Sequence, residues 1–470
     1  PTNAQDITFD AANVINGGQN LIVRGDTATL DRINTAGALT VVGQTAVVVN
    51  DNINTTGVQD FTGATTLNAN TTSTNDNITF NNAVTVGNTA RVDSGGGGAG
   101  DITFSAAVDG ANALTVDAGN ASVDFAANVG GGTPLDTLDV IGGTINLQQV
   151  DTTNQQTYNG DTTLNADLTS AAAGIDITGD VTLATNSTLT SGGGAGDNLS
   201  IVGQVTGNNT LEMVAGLGNI TLNGGVDIDT LTMTSGDVFS TGGTLQTDTA
   251  QDYTNLGAIT QLANTTFIAS DGVFPTNPQN ITFDAANVIT GVFDLGIQGD
   301  TIDVYAIGDG AANPTAATIN GVTQINANTD IQTDGDITLT SADLQLNGDL
   351  TSNSGDITIN ADTPLLGNRV ITSSGGDVLF NGTVDGAFDL DVQAGAGDIT
   401  MANAFGGTTP LTSLIMNGAN LTLLDITTVG SQDFTGSADL NGDLVTTNSN
   451  VTFSSDLTLS ANSTVNTGAG

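Results

Sequence analysis

Of the 470 residues, 49 are acidic and 4 are basic, and there is neither His nor Cys. Glu212 is the single glutamate, so the acid is almost entirely aspartate; the bases are Arg24, Arg32, Arg91 and Arg369. The chemistry such a set could support is polysaccharide cleavage, which needs clustered carboxylates with a base, or Ca²⁺ with Arg or Lys, in one groove. Here the aspartates recur in turns, so any catalytic pair would have several equivalents, and the arginines are scattered. The expectation is no enzyme: no catalytic, cofactor-binding or metal-binding residue is nominated. Without thiols there are no disulfides and no thiolate metal sites.

Four short motifs invite a functional reading. Arg24-Gly25-Asp26 spells a tripeptide that integrins recognise, yet its repeat partner Gln298-Gly299-Asp300 drops the Arg and keeps the turn. The runs Gly95-Gly96-Gly97-Gly98-Ala99-Gly100-Asp101 and Gly193-Gly194-Ala195-Gly196-Asp197 approach calcium-binding nonapeptides but are out of step, since nothing separates Gly196 from Asp197. No strand–loop–helix pattern makes them phosphate loops. Thr338-Leu339-Thr340 suggests an ice-binding face, which needs a regular Thr array; outward positions here mix Thr with Asp, Asn and Ser. All four read as structural turns or strands, with diffuse Ca²⁺ association as the only cation chemistry expected.

These residues must be placed by β-structure. Gly contributes 62 residues and Pro only 7, while 38% of the chain is hydrophobic and evenly spread, enough for a core along its length. Helix formers with a 3.6-residue period are missing. Triplets reading apolar-polar-apolar recur instead, among them Ile102-Thr103-Phe104, Val123-Asp124-Phe125 and Ile175-Asp176-Ile177. Alternation with period two turns one face inward, and Gly-Asp, Asn-Gly and Gly-Gly pairs supply the bends. The formal charge of −45 repels nucleic acid and anionic lipid and keeps a long fibre soluble. Asp also suits turns because its short side chain caps nearby backbone.

Self-comparison gives the architecture. Residues 1–15 recur at 275–289, an offset of 274, and the segment from Asp101 recurs from Asp377, an offset of 276. Between them Phe61–Thr71 aligns with Ile319–Thr329 at an offset of only 258. The second copy thus loses a short block before this point and regains one of similar size after it. A solenoid can drop or add one whole coil, because each coil touches only its neighbours, and coils of about 16–20 residues follow. Residues 1–274 then form one super-repeat and 275–470 most of a second. A motif recurs at 59–63 (QDFTG), 156–160 (QTYNG), 251–255 (QDYTN) and 432–436 (QDFTG). Its first three copies are spaced by roughly 95 residues, about five coils. About 25 coils at the strand spacing would make a rod of roughly 120 Å. The alternative is a tandem array of β-sandwiches of about 95 residues each.

Units reading QTYNG, TTLNA, GDITF, VDGA and GGTPL resemble the β-strand repeats of very large bacterial surface proteins of the filamentous-haemagglutinin-like or autotransporter type. The resemblance implies a right-handed parallel β-helix, export through an outer-membrane pore, an extracellular or cell-surface location, and a role in adhesion, aggregation or matrix. A chain lacking Cys suits passage through an oxidising compartment. No apolar stretch approaches the roughly 20 residues of a membrane span, and Pro1-Thr2-Asn3-Ala4 has no leader pattern. A signal is expected outside this sequence, which has no cap signature at either end. The function expected is a structural stalk or fibre, with self-association end to end or laterally; the alternative is a lateral module binding glycans or host surfaces. That module would expose aromatic platforms, and the chain has no Trp and only Tyr158, Tyr253 and Tyr305.

Overall fold

A computed structural model of the chain describes residues 5–10, 12, 14–35, 37–95, 100–235 and 237–468. The described residues hold short strands, turns and bends, with no helix. Contacts divide the chain into two compact units, residues 1–238 and 239–470. The super-repeat junction at 274/275 lies inside the second unit.

Unit 1 is a parallel β-solenoid. Its alternating triplets behave as their pattern dictates: in Ile78–Phe80 and Ile102–Phe104 the outer two residues are buried and the Thr faces out. A three-residue strand cannot stand alone, so each pairs in parallel with its counterparts one coil before and after. One column runs Leu21, Leu39, Gln59, Ile78, Ile102, Val123, Ile145, Thr162, Val181, Val205, Val226. A second runs Thr65, Val84, Val108, Val129, Val150, and a third Ala90, Leu114, Leu138, Gln156, Ile175. Stacking puts identical side chains at the coil spacing: Phe61, Phe80, Phe104 and Phe125 form a ladder with centroids 4.9, 5.0 and 4.9 Å apart and rings within 9° of parallel. Each such pair adds about 0.5–1.5 kcal/mol beyond its buried area.

Unit 2 is built the same way. Its longest column is Thr265, Leu295, Ala317, Ile337, Ile357, Val378, Ile399, Leu421, Ala438, Leu457. Every strand ladder described in either unit is parallel, so the antiparallel sandwich array is excluded; among the described residues the one antiparallel contact is an isolated bridge, Ser270 to Pro278.

The register shows what the offset slips are. Unit 1 makes two coils from Leu21 to Gln59, through Leu39, while the equivalent passage in unit 2, Leu295 to Ala317, is a single coil. Unit 1 then makes two coils from Gln59 to Ile102, through Ile78, whereas the equivalent passage from Ala317 to Val378 makes three, through Ile337 and Ile357. Each slip is one coil, the first lost and the second gained.

Coil length varies more than expected. In the unit 1 column the step from Ile145 to Thr162 is short and the step from Val181 to Val205 long, and the coil from Thr265 to Leu295 in unit 2 is longer again. The excess sits in corner loops such as residues 191–198, which leave the ladders untouched. The repeated Gln motif also advances differently than its spacing suggested. Gln59 belongs to the first column and Gln156 to the third, so the interval between them is four coils plus a move to another face, not five coils.

Glycine closes the corner within this motif. Gly63, Gly160 and Gly436 have φ of 126°, 148° and 132°. A Cβ there would lie 2.2, 1.8 and 2.1 Å from the carbonyl oxygens of Gly43, Gly142 and Gly418 in the preceding coil, so both conformation and close approach demand Gly.

Candidate functional site

The aspartates are placed by the corners. Just before a strand begins, in its first residues, or at an irregularity such as that before Asn420, an N–H is left outside the sheet ladder and needs another acceptor. A carboxylate one coil earlier supplies it. Asp336 Oδ1 accepts from Asp356 N at 2.9 Å, Asp356 Oδ1 from Asp377 N at 2.8 Å, Asp377 Oδ1 from Asp398 N at 2.8 Å, and Asp398 Oδ1 from Asn420 N at 3.1 Å. Similar steps link Asp330 to Asp349 and Asp349 to Val370, and Asp425 to Asp443 and Asp443 to Thr464. In unit 1 Asn77 holds Asp101 N and Asp101 holds Ser122 N. The expectation that Asp caps its own local backbone holds at Asp93, Asp117, Asp252 and Asp284, each of which accepts from the N–H two residues on; the carboxylates above do something further and staple one coil to the next. Asp and Asn both supply the acceptor at this N–H.

The magnitudes favour the staple. Two charges about 5 Å apart in water repel by only about 0.8 kcal/mol, screened further by salt, while a hydrogen bond to a charged acceptor contributes about 1.5–3 kcal/mol. Stacked carboxylates are therefore tolerable where each has an N–H.

A second repeated device lies in the core. Gln59, Gln156, Gln251 and Gln432 are at most 2% exposed. Each Nε2 donates to a Thr four residues earlier (Thr55, Thr152, Thr247, Thr428) at 3.0–3.3 Å. Each also donates to a carbonyl across the coil: Thr72, Thr169, Ile268 or Val445, at 2.7–3.0 Å. The Thr hydroxyls in turn donate to the carbonyls of Gly57, Asn154, Thr249 and Gly430. The Gln and the aromatic were visible in the sequence. The Thr was not singled out, although its constant spacing of four was there to be read.

The motifs with a possible binding role are placed as follows. Arg24 is exposed, and among the described residues it has no carboxylate partner. Gly25 is buried, and Asp26 accepts from Thr45 Oγ1 at 2.6 Å while its N–H donates to Gln5 O at 3.0 Å. The repeat partner does the same: Asp300 accepts from Thr323 Oγ1 and donates its N–H to Gln279 O at 2.7 Å. Asp197 closes its own loop, accepting from Gly194 N at 2.8 Å. Of the other Gly run, residues 96–99 lie outside the described residues. Among the described residues no three acidic groups converge as a metal site. Thr338 stands between Thr318 and Thr358, but Thr340 between Asn320 and Asn360, so the outward Thr array is broken.

The other three arginines are paired: Arg32 with Asp51 at 3.0 Å, Arg369 with Asp349 at 3.9 Å, and Arg91 with both Asp93 (3.1 Å) and Asp117. Beside that cluster, loss of solvent raises the Asp139 carboxyl above its ordinary range, with Arg91 opposing and Asp117 reinforcing. Burial likewise raises Asp176, opposed by the Gln155 amide. Tyr158 and Tyr253 are fully buried, which pushes both phenols far up. Tyr305 alone of the three tyrosines reaches the surface, at the mouth of a cavity of about 420 Å³.

Neither a family model, nor a curated protein, nor a solved structure matches the chain.

Proposed function

We propose that the chain is a structural segment, a stalk or fibre element, of a large secreted bacterial surface protein, serving adhesion, aggregation or matrix formation by setting reach rather than by chemistry. The observation that carries this reading is the pair of coil-sized slips between repeats. Length changes by one coil while the ladders on either side keep their register, which suits a spacer and would wreck a site assembled from several coils. The composition agrees with it: aspartate is spent on stapling coils and leaves a surface that resists collapse and nonspecific association.

In this reading the chain is not an enzyme, needs no cofactor, associates with Ca²⁺ only diffusely, and meets copies of itself or neighbouring repeats as partners. The test is made in a bacterium that displays the protein. Coil deletions should alter how far an epitope beyond the deletion stands from the cell and leave adhesion to vary with reach. Loss of adhesion on substituting outward residues of one face, with reach unchanged, would overturn the passive reading.

A further inference from the structure

The coil that leaves its column at Leu295 and returns at Ala317 is longer than its repeat equivalent, which leaves at Leu21 and returns at Leu39. The additional backbone, about four residues, enlarges the corner over residues 305–316, whose counterpart in the first copy is the shorter passage 31–38; Ile307 bridges Ile289 as Ile33 pairs with Ile15. This loop is fixed from within. Asp309 Oδ1 accepts from Ala311 N and Ala312 N, both at 2.8 Å, which holds that carboxyl below its ordinary range. The buried Asn313 accepts from Gly310 N at 2.9 Å and donates to Asp334 at 3.1 Å. Gly308 and Gly310, at φ of 76° and 82°, allow the loop to bend.

The loop walls the 420 Å³ cavity together with Tyr305, Thr329, Asp330 and Gln332. That volume lies in the range of small-ligand sites, about 300–1,000 Å³. Among the described residues the Tyr305 hydroxyl, the Thr329 hydroxyl and the Gln332 carboxamide have no protein partner. Asp330 uses Oδ1 for Asp349 N at 2.9 Å and leaves Oδ2 open. An aromatic residue, two aspartates, a glutamine and a threonine thus line one space.

The geometry points to a binding site for one uncharged hexose unit of a glycan. The Tyr305 ring packs on the apolar C–H face of a sugar; Asp309 and Asp330 accept from its hydroxyls, and Gln332 takes both roles. The same two carboxylates reject uronic, sialic and sulfated sugars by like-charge repulsion. This site does not rest on the stalk reading, and its failure leaves the coil arithmetic intact; only a loss of adhesion in Tyr305→Ala at unchanged reach would turn it against the passive reading.

The test is titration of the purified full chain with methyl glycosides of neutral hexoses, followed by Tyr and Gln resonances or fluorescence, with a printed glycan panel in parallel. Binding of at least one neutral hexoside is expected, weak at about 1 mM. Tyr305→Ala and Gln332→Ala should each weaken it by about tenfold or more, with circular dichroism unchanged. The proposal falls if no neutral glycoside binds, if both variants bind as the wild type does, if acidic glycans bind equally, or if tetramethylammonium is captured instead of sugar.

Discussion

The phenolic hydroxyl of Tyr158 donates to the buried carbonyl oxygen of Gln156 at 3.0 Å, and Tyr253 does the same for Gln251 at 2.9 Å. Where the aromatic is Phe61, Thr71 donates to Gln59 instead. At the fourth copy the aromatic is Phe434 and the place of Thr71 is taken by Leu444, so Gln432 Oε1 is buried with no partner among the described residues. Phe434→Tyr therefore supplies a missing donor and should stabilise unit 2 by about 1 kcal/mol. Tyr158→Phe should destabilise unit 1 by about 1–3 kcal/mol, by orphaning Gln156. Chemical denaturation of the two variants checks both signs.

The buried tyrosines also set an alkaline limit. Their phenols are raised in the fold by burial, so above the ordinary phenol pKa of about 10 the unfolded chain releases a proton that the folded chain retains. Stability present at neutral pH is then lost as pH rises past that value, by about 1.4 kcal/mol per pH unit for each tyrosine. Tyr158→Phe should flatten the alkaline fall for unit 1 even though it lowers stability at pH 7. Melting curves collected through the alkaline range report the slope.

The carboxylate staples separate charge from hydrogen bonding. Asp377 accepts from Asp398 N and stands between two other acids. Asp377→Asn keeps the acceptor and removes the repulsion, and should be neutral or stabilising by less than about 1 kcal/mol. Asp377→Ala strands the N–H and should destabilise by about 1–2 kcal/mol. Added salt should narrow the gap between wild type and Asp377→Asn, and leave the gap between Asp377→Asn and Asp377→Ala, which both lack the charge, unchanged.

Much of the architecture was legible because stacking repeats a local pattern. Apolar-polar-apolar triplets such as Ile102-Thr103-Phe104 fixed which side chains face inward, and the offsets of 274, 258 and 276 fixed that coils come and go whole. Coil length was less readable, since a corner loop such as residues 191–198 adds backbone that no ladder records. The face on which Gln156 sits was hidden for a related reason: its distance along the chain from Gln59 does not say whether the chain has completed a coil or stopped part of the way round it. The staples escaped notice because an Asp in a turn reads as local until the coil beneath is in place. The cavity beside Tyr305 had a faint signal, a coil longer than its repeat equivalent, masked by the coil lost at the same junction.

The central claim is that each coil is an exchangeable layer. Removing residues 337–356 takes out one full coil, joining the ladder position of Ile337 to that of Ile357. Removing residues 337–346 takes out about half a coil and throws every later inward residue off its column. Far-ultraviolet circular dichroism and denaturant unfolding of the two deletions, side by side, test the account. It predicts that the full-coil deletion keeps the β-signal and a cooperative transition while the half-coil deletion loses both; equal damage from the two would contradict it.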